Sequence, residues 1–142
     1  MRYVLIGVTT VVIGSLIVAG VLYLADVGIG RPLRHELPAG YRGWALVEYQ
    51  RPHCPELSVQ GIRLIVSYDA TGRACTSSPR PLGWRYRTFV YVEPGGARHA
   101  TPEEMLHSYS HSIGDNTDTF FVGTSAEFAA DRTPLHKRYR KE

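Results

Sequence analysis

An uncharged, largely apolar run from Tyr3 to Ala25 constrains this chain more than any other feature of its sequence. At ~1.5 Å per residue the run makes roughly 35 Å of helix, against a bilayer hydrocarbon core of about 30 Å. A core helix of that length should show a polar stripe, and the run offers only Thr9, Thr10 and Ser15 for one. We therefore predict a single N-terminal transmembrane helix over residues 1–25.

A cleaved signal peptide is the alternative interpretation of the same run. The small residues 18–20 would suit a processing site, but four further apolar residues follow them, and Tyr23 stands where a second site needs a small side chain. Val21 also stands where a lipoprotein would carry its lipid-bearing cysteine. These departures favour an uncleaved anchor.

The two cysteines indicate where the rest of the chain resides. Cys54 and Cys75 match no zinc or CxxC spacing, and an even count behind a hydrophobic leader is typical of a disulfide in an oxidising compartment. Two unrelated buried thiols are the alternative. Large domains translocate largely regardless of their charge, so the arginines that follow the run do not prevent export. We expect the domain to lie on the outer face of a bacterial-type cytoplasmic membrane.

The net charge of +3 comes mostly from the C-terminal tail, residues 132–142, which contains the stretch HKRYRK. Such a tail could contact anionic lipid head groups or wall polymers, although a solvated terminus is the commoner outcome. Nucleic acid is a poor partner for a domain outside the membrane, so we expect none.

Between the anchor and the tail, the patterns predict a mainly β domain over residues 38–131. A linker rich in glycine and proline precedes it, over residues 26–37. Four runs of aromatic and β-branched residues predict strands, at 43–50, 61–68, 84–93 and 119–124. Asp69 and Gly72 predict a turn that makes a hairpin of the second run and the residues around Cys75.

One or two short helices complete the predicted fold, a small antiparallel β-sandwich or barrel-like sheet. Thr101, Pro102 and Glu104 predict the start of a helix that ends at Gly114. A second helix is predicted to begin at Thr124 or Ser125, with Glu127 in a capping box.

The first predicted helix carries the sharpest candidate for metal chemistry. Glu103, His107 and His111 are four residues apart, so on a helix they would share one side and could bind Zn²⁺. The glutamate of the HExxH motif is missing, which excludes that protease class. The alternative is an ordinary solvated helix face.

No complete catalytic set is present, since the serines lie outside GxSxG motifs. We therefore expect a non-enzymatic envelope module that binds a protein, a peptide or a wall polymer. Tyrosine and arginine are enriched in recognition sites, and they are concentrated in the strand at 84–93. The expected contact residues are Arg85, Tyr86, Arg87 and Tyr91.

Three segments, LPAGYRGWALVEYQRPHCP, GRACTSSPRPLGW and FFVGTSAEF, resemble a family of small bacterial envelope proteins catalogued as a domain of unknown function. The resemblance covers residues 36–129 and rests on a P-x-G-[YF]-x-G-W opening segment. It implies a compact, mostly β domain behind a lipoprotein signal or a single anchor. It implies no activity, cofactor or catalytic residue.

Overall fold

The computed structural model describes residues 13–18, 30–112 and 114–131, with the side chains of residues 111 and 112 left undescribed. Within these residues, no helix is both long and apolar enough to cross a membrane. Residues 13–18 are helical, but most of the predicted span at residues 1–25 lies outside the described ranges, as does the basic tail at 132–142. The chain divides into two units. The larger unit comprises Arg31–Arg80 and the residues from Tyr86 onward, and the smaller unit comprises Pro81–Arg85 and the residues up to Gly30.

The larger unit consists of two β-sheets and little else, which confirms the predicted mainly β class. In the described residues the strands are β1 Leu33–Pro38, β2 Gly43–Glu48, β3 Ser58–Gln60, β4 Arg63–Ser67, β5 Arg73–Cys75, β6 Arg87–Val92, β7 Arg98–Ala100, β8 Leu106–Ser112 and β9 Thr117–Val122. A five-stranded sheet has the order β3-β4-β1-β6-β7, and a four-stranded sheet has the order β5-β2-β9-β8.

The sheets are mixed, so the predicted all-antiparallel arrangement is wrong. β1 pairs in parallel with both β4 and β6, and β2 pairs in parallel with β5. The predicted hairpin between β4 and β5 does not form, although the turn between them is present and Gly72 adopts a φ of +78°. Because the chain crosses from one sheet to the other at that turn, β5 pairs with β2 instead of folding back on β4.

The strand that organises the five-stranded sheet was missed. β1 begins at Leu33, inside the predicted linker 26–37, and lies at the centre of its sheet. The alternation in LRHELP places Leu33, His35 and Leu37 in the core. The segment contains no β-branched residue, and four of its six residues are arginine, histidine, glutamate and proline. Its composition is therefore typical of a linker, although alternate residues face the core as in a strand.

His35 is the buried polar residue at the centre of the core. Its ring is fully buried, stacks on Phe89 at 4.7 Å and meets the edge of Phe120 at 5.4 Å. Burial, assisted by the charge of Arg87, lowers the pKa of His35 to about 3. The hydroxyl of Tyr68, whose pKa burial raises well above its ordinary value, lies 2.8 Å from Nδ1, and the two neutral groups share a hydrogen bond. The core therefore contains a neutral imidazole.

A second polar group in the core is the carboxylate of Asp118 on β9. The hydroxyls of Tyr49 and Tyr109 donate to Oδ2 at 3.2 and 3.0 Å, and Arg80 Nε donates to Oδ1 at 3.0 Å. Burial raises the pKa of both tyrosines, and the charge of Asp118 raises it further. Both hydroxyls therefore stay protonated and act as donors. Their hydrogen bonds replace those that the carboxylate would make to water if it were exposed.

The helix predicted from Thr101 to Gly114 is wrong. Glu103–Met105 form one 3₁₀ turn, and the chain then continues as β8. β8 contains a bulge between His107 and Ser110, with Ser108 at a φ of +53°. One extra residue reverses the alternation of faces, so Tyr109 points into the core while His107 points to the opposite face. The capping residues are genuine helix signals, but pairing with β9 outweighs them.

The second predicted helix is confirmed as α1, Ser125–Ala130. Thr124 accepts from the Glu127 backbone N–H, and Glu127 accepts from the Thr124 backbone, which completes the expected capping box. Phe128 packs against Phe121 and Trp44 on the outer face of the four-stranded sheet.

The predicted disulfide is confirmed. Cys54 and Cys75 are bonded, with their Cα atoms 5.8 Å apart. Hydrogen bonds tie the same loop to the chain after β5, since the Arg51 N–H donates to the Thr76 carbonyl and the Thr76 hydroxyl donates to the Pro55 carbonyl. The bridge therefore reinforces a contact that other interactions also hold.

Replacing both cysteines by alanine should lower the free energy of unfolding by roughly 3 kcal/mol, because the unfolded chain regains the entropy of the opened loop. The far-UV circular dichroism of the folded variant should be unchanged, because the hydrogen bonds of the loop remain. Urea unfolding measures the effect, and reduced wild-type protein serves as the control. Equal unfolding midpoints for the oxidised protein and the variant would contradict the assigned role of the bridge.

Acid should destabilise the fold through His35. The unfolded imidazole has a pKa near 6.5 and the folded one about 3, so between these values the unfolded state binds the extra proton. The contribution is complete above pH 6.5 and lost as the pH falls towards 3, which amounts to about 2 kcal/mol at pH 5. Urea unfolding at pH 7.5 and pH 5 measures it.

The matched control for this pH effect is His35→Phe, which keeps an aromatic ring at the site without a titrating group. The variant should lose less stability than the wild type over the same pH interval, whatever its stability at pH 7.5. Parallel losses in the two proteins would show that His35 does not stay neutral in the fold.

Candidate functional site

An open cleft of about 390 Å³ lies where β1 and β6 end, beside β7 and the 3₁₀ turn. The loop between β1 and β2 turns sharply there, with Gly40 at a φ of +69° and Gly43 at +120°. Both values favour glycine, so the GYRG sequence makes the turn that brings Arg42 to the cleft. The lining residues are Gly40, Arg42, Tyr91, Glu93, His99, Pro102 and Met105.

Arg42 is the principal cation of the cleft. Its Nη1 atom donates to both carboxylate oxygens of Glu127 at 2.8 Å, which fixes the guanidinium while leaving it exposed. Within the described residues, its Nη2 and Nε groups have no hydrogen-bond partner. A guanidinium held on one side with donors open on the other is suited to a carboxylate or a phosphate.

Tyr91 forms the aromatic wall of the cleft. Its ring is half-buried against the core, and its hydroxyl donates to the Tyr41 carbonyl at 3.2 Å. Burial raises the pKa of Tyr91, while the nearby Arg42 opposes the shift. The hydroxyl is therefore neutral at physiological pH and keeps its acceptor lone pairs. With Pro102 and Met105, the ring contributes the apolar part of the cleft lining.

Of the four predicted contact residues, only Tyr91 lines this cleft. Tyr86 is 71% exposed directly before β6, and Arg87 lies over the Tyr109 ring at 4.6 Å. Arg85 belongs to the smaller unit, where it donates to the Leu82 carbonyl. The neighbouring Trp84, predicted to belong to the strand at 84–93, precedes β6 and is 83% exposed.

The helix that was predicted to align the three metal ligands does not form, because Leu106–Ser112 is the strand β8. Glu103 lies in the 3₁₀ turn, and His111 is a β8 residue in register with Asp118. The Nε2 atom of His107 is 2.9 Å from the Gly123 carbonyl, and its ring stacks on Phe128 at 5.2 Å. Across the described residues, no three His, Cys, Asp or Glu side chains are grouped as a metal site would require.

Most of the cleft was missed by sequence reasoning. Arg42 and His99 come from separate loops and strands, and only the sheet order brings them together. The one available signal was the pair of glycines around Tyr41 and Arg42, which marked a turn of special geometry. It did not indicate which strands that turn would face.

Fold and cleft together define a small two-sheet β domain with an open surface cleft. The model of the family of unknown function DUF6843 matches residues 34–133, over two thirds of the chain. The chain belongs to that family, which confirms the resemblance to a domain of unknown function. The match also begins within β1, in agreement with the structural boundary.

A solved structure has a similar fold. The 2.75 Å crystal structure of a protein described as a candidate lipoprotein from Bacillus anthracis has a TM-score of 0.63 to this chain. The two are 21% identical over 78% of this chain and 90% of the other. At that identity the likeness shows the fold. No curated protein matches the chain.

Proposed function

We propose that this chain is a non-enzymatic binding module of the bacterial cell envelope. The run Tyr3–Ala25 anchors it in the membrane, and the β domain lies outside the cytoplasm. The observation that carries the proposal is the open cleft lined by both the guanidinium of Arg42, held by Glu127, and the half-buried ring of Tyr91. Such a pairing is typical of recognition surfaces.

Two observations support the envelope location. The Cys54–Cys75 bridge is the kind of cross-link that persists in oxidising compartments and is rare in the cytosol. The Bacillus anthracis protein with the same fold is described as a candidate lipoprotein, and lipoproteins are held at membrane surfaces. Both fit a domain presented outside the cytoplasmic membrane.

The chemistry of the cleft favours a short segment of a larger partner that carries an anionic group. A volume of about 390 Å³ lies within the range of ligand-binding pockets. Arg42 would bind a carboxylate or a phosphate, while Tyr91 and Met105 would cover the apolar part of the ligand. Peptides and wall polymers of the envelope both offer this combination. The metal-binding alternative would need a grouping of His, Cys, Asp or Glu side chains that is not found among the described residues.

A photo-crosslinking amino acid placed at His99 should give a discrete cross-linked product in intact cells, because the cleft holds its partner against that strand. Adding Arg42→Gln should remove the product without unfolding the protein, since an exposed ion pair contributes little stability. Gel mobility and mass spectrometry of the product provide the measurement.

Two controls make the cross-linking specific. The cross-linker at Glu56, an exposed residue of the disulfide loop, should give no product. Arg51→Gln breaks a comparable surface pair, Arg51–Glu48, and should leave the His99 product intact. Equal products at His99 and Glu56, or a His99 product that survives Arg42→Gln, would contradict the cleft as the binding site.

A further inference from the structure

The parallel strands of the five-stranded sheet begin together at one end. Leu33, the first residue of β1, is level with Leu64 of β4 and with Arg87 of β6. The chain therefore enters β1 at the end of the sheet where the turn between β3 and β4 lies. Tyr86, directly before β6, lies at this end as well.

The exposed apolar side chains of the larger unit are concentrated at this same end. Among its described residues, the large hydrophobic side chains exposed to solvent are Val59 (51%), Ile62 (71%) and Tyr86 (71%). Val59 and Ile62 flank the tight turn at Gly61, where φ is +59°. Val59 is paired with Leu64, and Leu64 is level with the start of β1.

Cations lie beside these apolar groups. Arg31 and Arg63 are both exposed at this end of the sheet, next to the start of β1 and the tip of the β3–β4 hairpin. Aliphatic side chains at a hairpin tip, an aromatic side chain and flanking arginines are the groups that occupy a bilayer interface with anionic lipids.

The length of the connection limits how far this end can lie from a bilayer. Because β1 begins at Leu33, only residues 26–32 separate it from the apolar run. Fully extended, seven residues reach at most about 25 Å. This reach is much shorter than the one implied by a linker ending at residue 37.

We propose that the end of the sheet formed by Val59, Ile62, Arg63 and Tyr86 is a membrane-contacting surface. Ile62 and Val59 insert among the lipid head groups, Tyr86 lies at the same depth, and Arg63 contacts anionic lipid. The proposal deepens the proposed function and rests on the membrane anchor that it includes. The occupant of the surface is the bilayer into which the chain's own anchor inserts.

The test uses the full chain reconstituted into vesicles of phosphatidylglycerol and phosphatidylcholine. The two native cysteines are bonded to each other, so Ile62→Cys provides a single thiol for a polarity-sensitive fluorophore. The matched control is Ala70→Cys, an exposed residue beyond the opposite end of β4. The label at residue 62 should shift to shorter wavelength and lose emission when the lipids carry bromine on their acyl chains, whereas the label at residue 70 should do neither.

Each other outcome overturns the proposal in a distinguishable way. If the protein resists carbonate extraction but both labels behave as in water, the anchor stands and the contact surface is refuted. If the label at residue 62 shifts but brominated lipid does not quench it, the residue contacts protein and the lipid assignment is wrong. If carbonate releases the protein, the anchor and the contact surface both fail.

Discussion

The contact between a neutral His35 and Phe120 is the interaction on which the rest of the domain depends. His35 lies on the central strand of the five-stranded sheet, and Phe120 lies on an inner strand of the four-stranded sheet. Their rings, with Phe89 and Tyr68, join the two sheets where the core is most deeply buried. An imidazolium could not stay there without a counter-charge, so the packing requires the neutral form.

The central position of β1 also determines where the two proposed surfaces lie. Because β4 and β6 run parallel to β1, their first residues meet at one end of the sheet, and the cleft residues Gly40, Arg42 and Glu93 follow strands that end at the other. The proposed membrane contact therefore uses one end of the sheet, and the cleft proposed to bind a partner opens at the opposite end. A partner could reach the cleft while the domain stays against the bilayer.

The features that could be predicted from the sequence are those that local residue type and spacing determine. The strand at 43–50, the capping box at Thr124 and the Cys54–Cys75 bridge follow from residue type and spacing, and the structure confirms all three. The predictions that failed concern segments whose structure depends on pairing with strands distant in the sequence. β1 is too polar to be recognised as a strand by itself, and it is stable because two parallel neighbours and the second sheet cover it.

The helix predicted after Thr101 shows the same limit, since its capping signals were real and pairing with β9 outweighed them. The candidate site was less predictable than the fold. Tyr91 was identified from its residue type, but its partners in the cleft were not, because Arg42 and His99 are brought together by the order of the strands. The bulge at Ser108, which directs Tyr109 into the core, likewise has no local sequence signal.

The central claim is that the disulfide-bonded domain lies outside the cytoplasmic membrane. Thiol labelling of intact cells with a membrane-impermeant reagent, with and without prior reduction, tests it most directly. Cys75 is exposed, so reduction should leave a thiol within reach of the reagent. Intact cells should be labelled only after reduction. Labelling that needs no reductant but appears only after lysis would contradict this claim, because it would show free thiols in the cytoplasm.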